Sequence, residues 1–206
     1  MPRVATSGVA QRTGTQRTIT VRDLMDAAAE IFAAKGVRAS TLEELAAEFG
    51  VTKPALYYYV RSKQQLLWMI FQHILEIYSQ QANAIAAERT GIREKFRTLI
   101  VAHANAVIQH RTYTTIFFRE QAQLSPQERR QLRAEIREYE RVFEGLYQEG
   151  VRAGIFRDLD VHAVVGGILG MCNWLHQWYD PRGRIKPDEV TRLYADLLER
   201  GYLVHV

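Results

Sequence analysis

One cysteine, Cys172, stands in 206 residues, so the chain can form no internal disulfide and its thiols cannot by themselves cage a zinc ion. Long apolar runs are missing too. The longest stretch poor in charge, Val161 to Leu175, contains His162 and several glycines and alanines, too few apolar residues to span a bilayer. The N-terminus lacks the apolar segment of a secretory signal, and a cytoplasmic protein is expected. There is no glycine-rich phosphate loop and no Gly-x-Ser-x-Gly. The six histidines are scattered, and His103 and His110, although seven apart, find no further metal ligands. The sequence therefore assigns no catalytic residue, metal or cofactor, and an enzyme is not expected. Negative charge is absent from the front. Arg3, Arg12, Arg17 and Arg22 precede the first acidic residue, Asp23, in a chain of net charge +4, a balance that suits a polyanionic partner. Residues 1–18, rich in Thr, Gly, Ser and Gln, read as a disordered basic arm, either solvated or lying along phosphates or in a minor groove.

What is present is helical periodicity. Leu24, Ala28, Ile31 and Phe32 form one apolar stripe, closed by Gly36. Thr41 and Glu44 make a capping box for a second helix, which Gly50 breaks. Thr52 caps a third helix carrying Leu56 to Val60, and Ser62 caps a long fourth one. Further helices are expected over Ile92–Ile108, Tyr113–Glu120, from Ser125 through Leu146, from Asp160 to about Pro181, and from Pro187 to about Arg200. The fold class is all-α with about nine helices: a three-helix unit over residues 19–65 and a larger domain over 66–206, for which the motif and resemblance below imply DNA binding and ligand binding with dimerisation respectively.

Two short helices can cross tightly only if the contact residues are small and the turn permits it. In Leu45-Ala46-x-x-x-Gly50-Val51-x-x-x-x-Leu56, Ala46 allows close approach, Gly50 the turn, and Val51 with Leu56 fills the angle, as a helix-turn-helix requires. Together with Phe32, Gly36, Thr41, the run Leu56-Tyr57-Tyr58-Tyr59-Val60, and Ser62-Lys63-x-x-Leu66, this segment resembles the N-terminal domain of tetracycline-repressor (TetR) regulators. It departs from the family's habit at Pro54 and Tyr59. The resemblance implies that Thr41, Tyr57, Tyr58, Tyr59 and Lys63 touch double-stranded DNA. Chemistry adds Thr52, whose helix N-terminus suits a phosphate, and Lys53, able to donate to a guanine edge. Tyr57 and Tyr59, two apart, cannot face the same way, so one is expected to pack partly into the small domain with Leu56. A homodimer on a palindromic operator follows from the need for two recognition helices about one DNA turn apart.

In proteins that this one resembles, the last two helices dimerise. Gly166, Gly167 and Gly170 within one helix suggest close helix approach there. Aromatic clusters with polar neighbours place Tyr113, Phe117, Asn173, Trp174 and Trp178 as candidate lining of a ligand pocket. The run Gly170-Met171-Cys172-Asn173-Trp174, with Trp178-Tyr179, Pro181-Arg182-Gly183 and Tyr194-Ala195-Asp196, resembles the branch repressing fatty-acid, phenylacetate and steroid breakdown genes, and implies an acyl-CoA effector. Arg111, Arg119, Arg152 and Arg157 are available for CoA phosphates. Competing expectations are an efflux-pump repressor sensing lipophilic drugs, an acyl-CoA-binding protein without specific DNA function, and a non-specific nucleoid protein.

Overall fold

A computed structural model describes residues 20–204; the basic arm at 1–18 lies outside them. Among these residues the regular structure is helical, apart from one antiparallel bridge between Phe156 and Leu203. The elements are α1 (Val21–Ala39), α2 (Leu42–Glu48), α3 (Lys53–Leu56), α4 (Lys63–Ala86), α5 (Ile92–Gln109), α6 (Arg111–Arg119), a 3-10 turn (Gln121–Gln123), α7 (Pro126–Arg152), α8 (Val161–Asn173), α9 (Leu175–Trp178) and α10 (Pro187–Tyr202). The nine expected helices are present. The tenth segment arises because the helix begun at Asp160 is interrupted at Trp174 and resumes for one turn as α9.

Local chemistry explains most boundaries. Thr20, Thr41 and Ser125 each close a capping box with the acidic residue three positions on, and Thr52 and Ser62 cap α3 and α4. Alpha-2 ends in a Schellman turn: Gly50 adopts φ 63°, its N–H donates to Ala47 O at 3.0 Å, and Val51 N–H donates to Ala46 O at 3.0 Å. Leu45, Ala46 and Leu56 are buried in the crossing, as the spacing requires. The third helix is shorter than expected. It ends at Leu56, and Tyr57 to Tyr59 continue as overlapping turns.

Helix α4 buries Leu66, Leu67, Ile70 and Phe71 near its start and Ile74, Tyr78, Ala82 and Ile85 further along, packing on α1 as well as on α5 and α7. The expected domain boundary at 65/66 falls in its first turn, so one continuous helix joins the DNA-binding unit to the rest. Helix α5 is central, surrounded by α4, α7, α8 and α10. Its Phe96 anchors a ring cluster with Phe143, Tyr147, Phe156 and Tyr202, centroids 5.2–6.3 Å away. Among the described residues no helix is long and apolar enough to cross a membrane.

Two glycines of α7 should respond to alanine with opposite sign. A Cβ on Gly150 would lie 2.1 Å from the buried Phe156 ring, whereas one on Gly145 would meet nothing within 4 Å. Gly150→Ala is expected to destabilise by about 1–3 kcal/mol through overpacking. Gly145→Ala is expected to stabilise by roughly 0.5–1 kcal/mol through helix propensity. Denaturant unfolding of both variants checks the pair.

Candidate functional site

The residues expected to meet DNA gather on one face. Thr41, Lys53, Tyr57 and Lys63 line a groove with Arg61, and Tyr57, Tyr58 and Tyr59 line an adjoining one with Arg61, Ser62 and Gln65. Tyr58 stands 91% exposed, Tyr57 46% and Tyr59 39%, so neither flanking tyrosine packs fully inward. Arg61 is common to both grooves; it falls between the tyrosine run and Ser62, and its residue type and spacing alone gave it no role. Thr52 is the exposed N-cap of α3, its hydroxyl accepting from Ala55 N–H at 3.4 Å.

Two lysines have partners already. Lys53 forms an exposed ion pair with Glu43, which lowers the Glu43 carboxyl pKa. Lys63 has main-chain partners: its ammonium donates to the carbonyls of Val37 (2.8 Å), Arg38 (3.2 Å) and Ser40. Those carbonyls belong to the last turn of α1 and its exit, where main-chain acceptors lack helical partners. Thr41 is likewise engaged, its N–H donating to Glu44 Oε2 at 2.9 Å and its hydroxyl accepting from Glu44 N–H at 3.2 Å.

Behind this face, α6 grips α1. Tyr113 donates its hydroxyl proton to Asp26 Oδ1 at 2.6 Å, under the Arg22 guanidinium 5.6 Å from the ring centroid. Thr112 donates to Glu30 Oε1 at 3.1 Å. Arg119 donates to the carbonyls of Phe32 (2.6 Å) and Ala33 (3.0 Å), just before α1 leaves helical geometry at Gly36 (φ 83°, ψ 156°). The turn after α6 adds Gln123, which accepts from Arg38 at 3.0 Å and from Gln64. Burial and the Asp26 carboxylate push the Tyr113 hydroxyl pKa up, so Tyr113 stays protonated as a donor.

The opposite side of α6 faces a cavity of about 290 Å³. Thr114, Phe117 and Phe118 of α6 line it with Ile74 and Tyr78 of α4, His103 of α5, Tyr139 and Glu140 of α7, and Gly166, Gly170 and Asn173 of α8. Its buried floor is a polar chain. Tyr139 Oη lies 2.7 Å from His103 Nδ1, and His103 Nε2 lies 3.1 Å from Asn173 Oδ1; nearby, the Tyr78 and Thr114 hydroxyls share a bond of 2.8 Å. Burial pushes His103 down to about 4, so it is neutral at pH 7. Glu140 is the charged lining residue, its pKa raised by burial and by Glu144. Among the described residues no cluster of His, Cys, Asp and Glu suits a metal ion.

Of the five expected pocket residues, Phe117 and Asn173 line the cavity. Three do not. Tyr113 belongs to the α1 seam. Trp174 is 62% exposed and Trp178 47% exposed, because α8 breaks after Asn173 and each residue turns about 100° from its predecessor. Trp174 lies edge-on to His176, and Trp178 packs on Tyr179 and Tyr194. A Cβ at Gly166, Gly167 or Gly170 would meet nothing within 4 Å in the chain, and Gly166 and Gly170 give the cavity its room. None of Arg111, Arg119, Arg152 and Arg157 lines it; Arg111 and Arg157 bond to the carbonyls of His176 and Gly201. His103 and Tyr139 went unseen because they stand on apolar stripes that read as core.

The buried histidine makes stability depend on pH. The folded chain holds His103 neutral down to about pH 4, whereas an unfolded chain takes the proton near pH 6.5. Acid therefore protonates the unfolded state first, and stability falls between those values by up to ~3 kcal/mol. His73 and His110, whose pKa values are also lowered by burial, act in the same direction. Urea midpoints at pH 7, 5.5 and 4.5 should fall more steeply for the wild type than for His103→Gln. Equal slopes would show that His103 is not held neutral.

The description "Bacterial regulatory proteins, tetR family" matches residues 24–68, and "Tetracyclin repressor-like, C-terminal domain" matches residues 89–202. A transcriptional regulator of the TetR/AcrR family from Thermobifida fusca is 34% identical, with a TM-score of 0.72 over 88% of this chain and 97% of that one. The HTH-type transcriptional repressor KstR2 of Mycolicibacterium smegmatis is 28% identical over 183 residues, 87% of this chain and 88% of its own. AibR, solved in complex with isovaleryl coenzyme A and operator DNA, shares the fold at 22% identity, with a TM-score of 0.78 over 86% of this chain and 96% of that one. The tyrosine-bearing turn, the helix-turn-helix that positions it and the helical domain behind it have one common explanation: this chain belongs to the TetR family of helix-turn-helix DNA-binding transcriptional regulators, and is not an enzyme.

Proposed function

We propose that the protein is a ligand-relieved repressor: a homodimer holds a near-palindromic operator, and an acyl-CoA thioester in the α4–α8 cavity weakens that grip. One observation carries the reading. Helix α6 lines the cavity through Thr114, Phe117 and Phe118 and holds α1 through Thr112, Tyr113 and Arg119. A ligand pressing on Phe117 and Phe118 moves the helix whose other side fixes the DNA-binding unit. A coupling of about 1–3 kcal/mol between the two sites changes operator affinity roughly 5–150-fold.

The acyl part suits a cavity walled by apolar side chains and two glycines, while the nucleotide of CoA must lie outside it, where none of the arginines considered is a lining residue. AibR, solved with isovaleryl coenzyme A, favours a CoA thioester as the chemical class. For the dimer, α10 leaves Leu193 (48%) and Leu197 (51%) exposed one turn apart, and α8 presents the exposed Gly167 and Trp174. An apolar stripe of this kind suits a second copy of the chain. On DNA, Tyr58 and Arg61 reach outward, Lys53 leaves Glu43 for a base edge or phosphate, and Lys63 braces the loop beneath. The carboxylate of Glu140 favours a second reading, in which the effector is a lipophilic cation.

Fluorescence anisotropy with DNA from upstream of the protein's own gene tests these points together. Octanoyl-CoA should release that DNA, and tetraphenylphosphonium should not; the reverse result supports the second reading. Tyr58→Ala should weaken operator binding about 10-fold or more without lowering thermal stability. Leu197→Glu should give a monomer by sedimentation and abolish specific binding. Equal affinity for a random duplex would contradict a sequence-specific repressor.

A further inference from the structure

Among the described residues the hydroxyl of Tyr139 has one partner, His103 Nδ1 at 2.7 Å, in a buried setting. A buried O–H left without an acceptor is more costly than a lone pair left without a donor, so Tyr139 gives its proton to Nδ1. The neutral imidazole then carries its own proton on Nε2 and donates to Asn173 Oδ1 at 3.1 Å. That fixes the amide. Its oxygen is occupied by the histidine, and its NH₂ has no partner among the described residues. Asn173 lines the cavity and is half-buried, so this NH₂ is a donor offered to whatever enters.

We propose that Asn173, oriented by the Tyr139–His103 relay, is a carbonyl-recognising donor, so that the cavity selects an acyl chain bearing a neutral carbonyl over a bare hydrocarbon or a free carboxylate. This rests on the effector reading given above and sharpens it. The donor side needs an acceptor, which a thioester, ketone or amide oxygen supplies. A free acid also carries acceptors, but its charge meets the Glu140 carboxylate in the same lining and an environment of low dielectric. A hydrocarbon leaves the amide unpaired. Gly166 and Gly170, with no atom within 4 Å of a built Cβ, leave the α8 wall open beside Asn173 for the chain to lie along. Asn173 is then the binding residue, and His103 and Tyr139 are positioning residues.

The test uses two probes of equal length: octanoyl-CoA, and S-octyl-CoA, in which a methylene replaces the carbonyl. Isothermal titration calorimetry of the full-length wild type should favour the thioester about 10-fold or more. Asn173→Leu should bring that preference close to unity by weakening the thioester alone. Tyr139→Phe removes one oxygen and keeps the ring, and should lose part of the preference while thioether affinity holds; a purely structural role for Tyr139 would weaken both probes alike. Equal wild-type affinities, or a preference that survives in Asn173→Leu, overturn the inference while leaving the effector reading intact, provided that the thioester still releases operator. A preference undiminished in Tyr139→Phe overturns the relay. Failure of both probes to bind the wild type overturns the effector reading and this inference with it.

Discussion

The contact between the DNA-binding unit and the cavity rests on the two-sided helix α6. Its nine residues cannot shift on the cavity side without disturbing the α1 side, because Thr112 and Tyr113 are bonded to α1 carboxylates and Arg119 to α1 carbonyls. The carbonyls that Arg119 takes lie beside the Gly36 break, where α1 has given up helical geometry. The guanidinium thus completes the end of one helix while belonging to another. Side chains that supply capping bonds across a seam transmit position, since movement leaves orphaned acceptors behind.

The DNA-binding unit was largely legible in the sequence because its determinants are local. The capping box at Thr41, the caps at Thr52 and Ser62, and the Gly50 turn are decided within a few residues, and the structure has each of them. Lys63 shows where local reasoning ends. Its spacing on the motif is visible in the chain, but its three carbonyl partners lie 23 to 26 residues earlier and depend on how α1 exits.

The cavity was less legible, for a related reason. Composition around Asn173 pointed to the right helix, yet Trp174 and Trp178 proved to be surface residues, because one break in α8 sets which side faces inward. Phe117 and Asn173 line the cavity, and the polar floor of Tyr139, His103 and Asn173 joins α7, α5 and α8. No single-helix pattern announces such a contact. The three glycines were legible as unusual, and two of them line the cavity.

The central claim is that ligand and operator communicate through the α6–α1 seam, and a thermodynamic cycle measures that directly. Operator affinity is determined with and without saturating octanoyl-CoA, in the wild type and in Arg119→Ala. The account predicts that the variant still binds both partners separately, while the ratio of operator affinities without and with ligand falls several-fold towards unity. A ratio identical to that of the wild type, with both partners still bound, would contradict it.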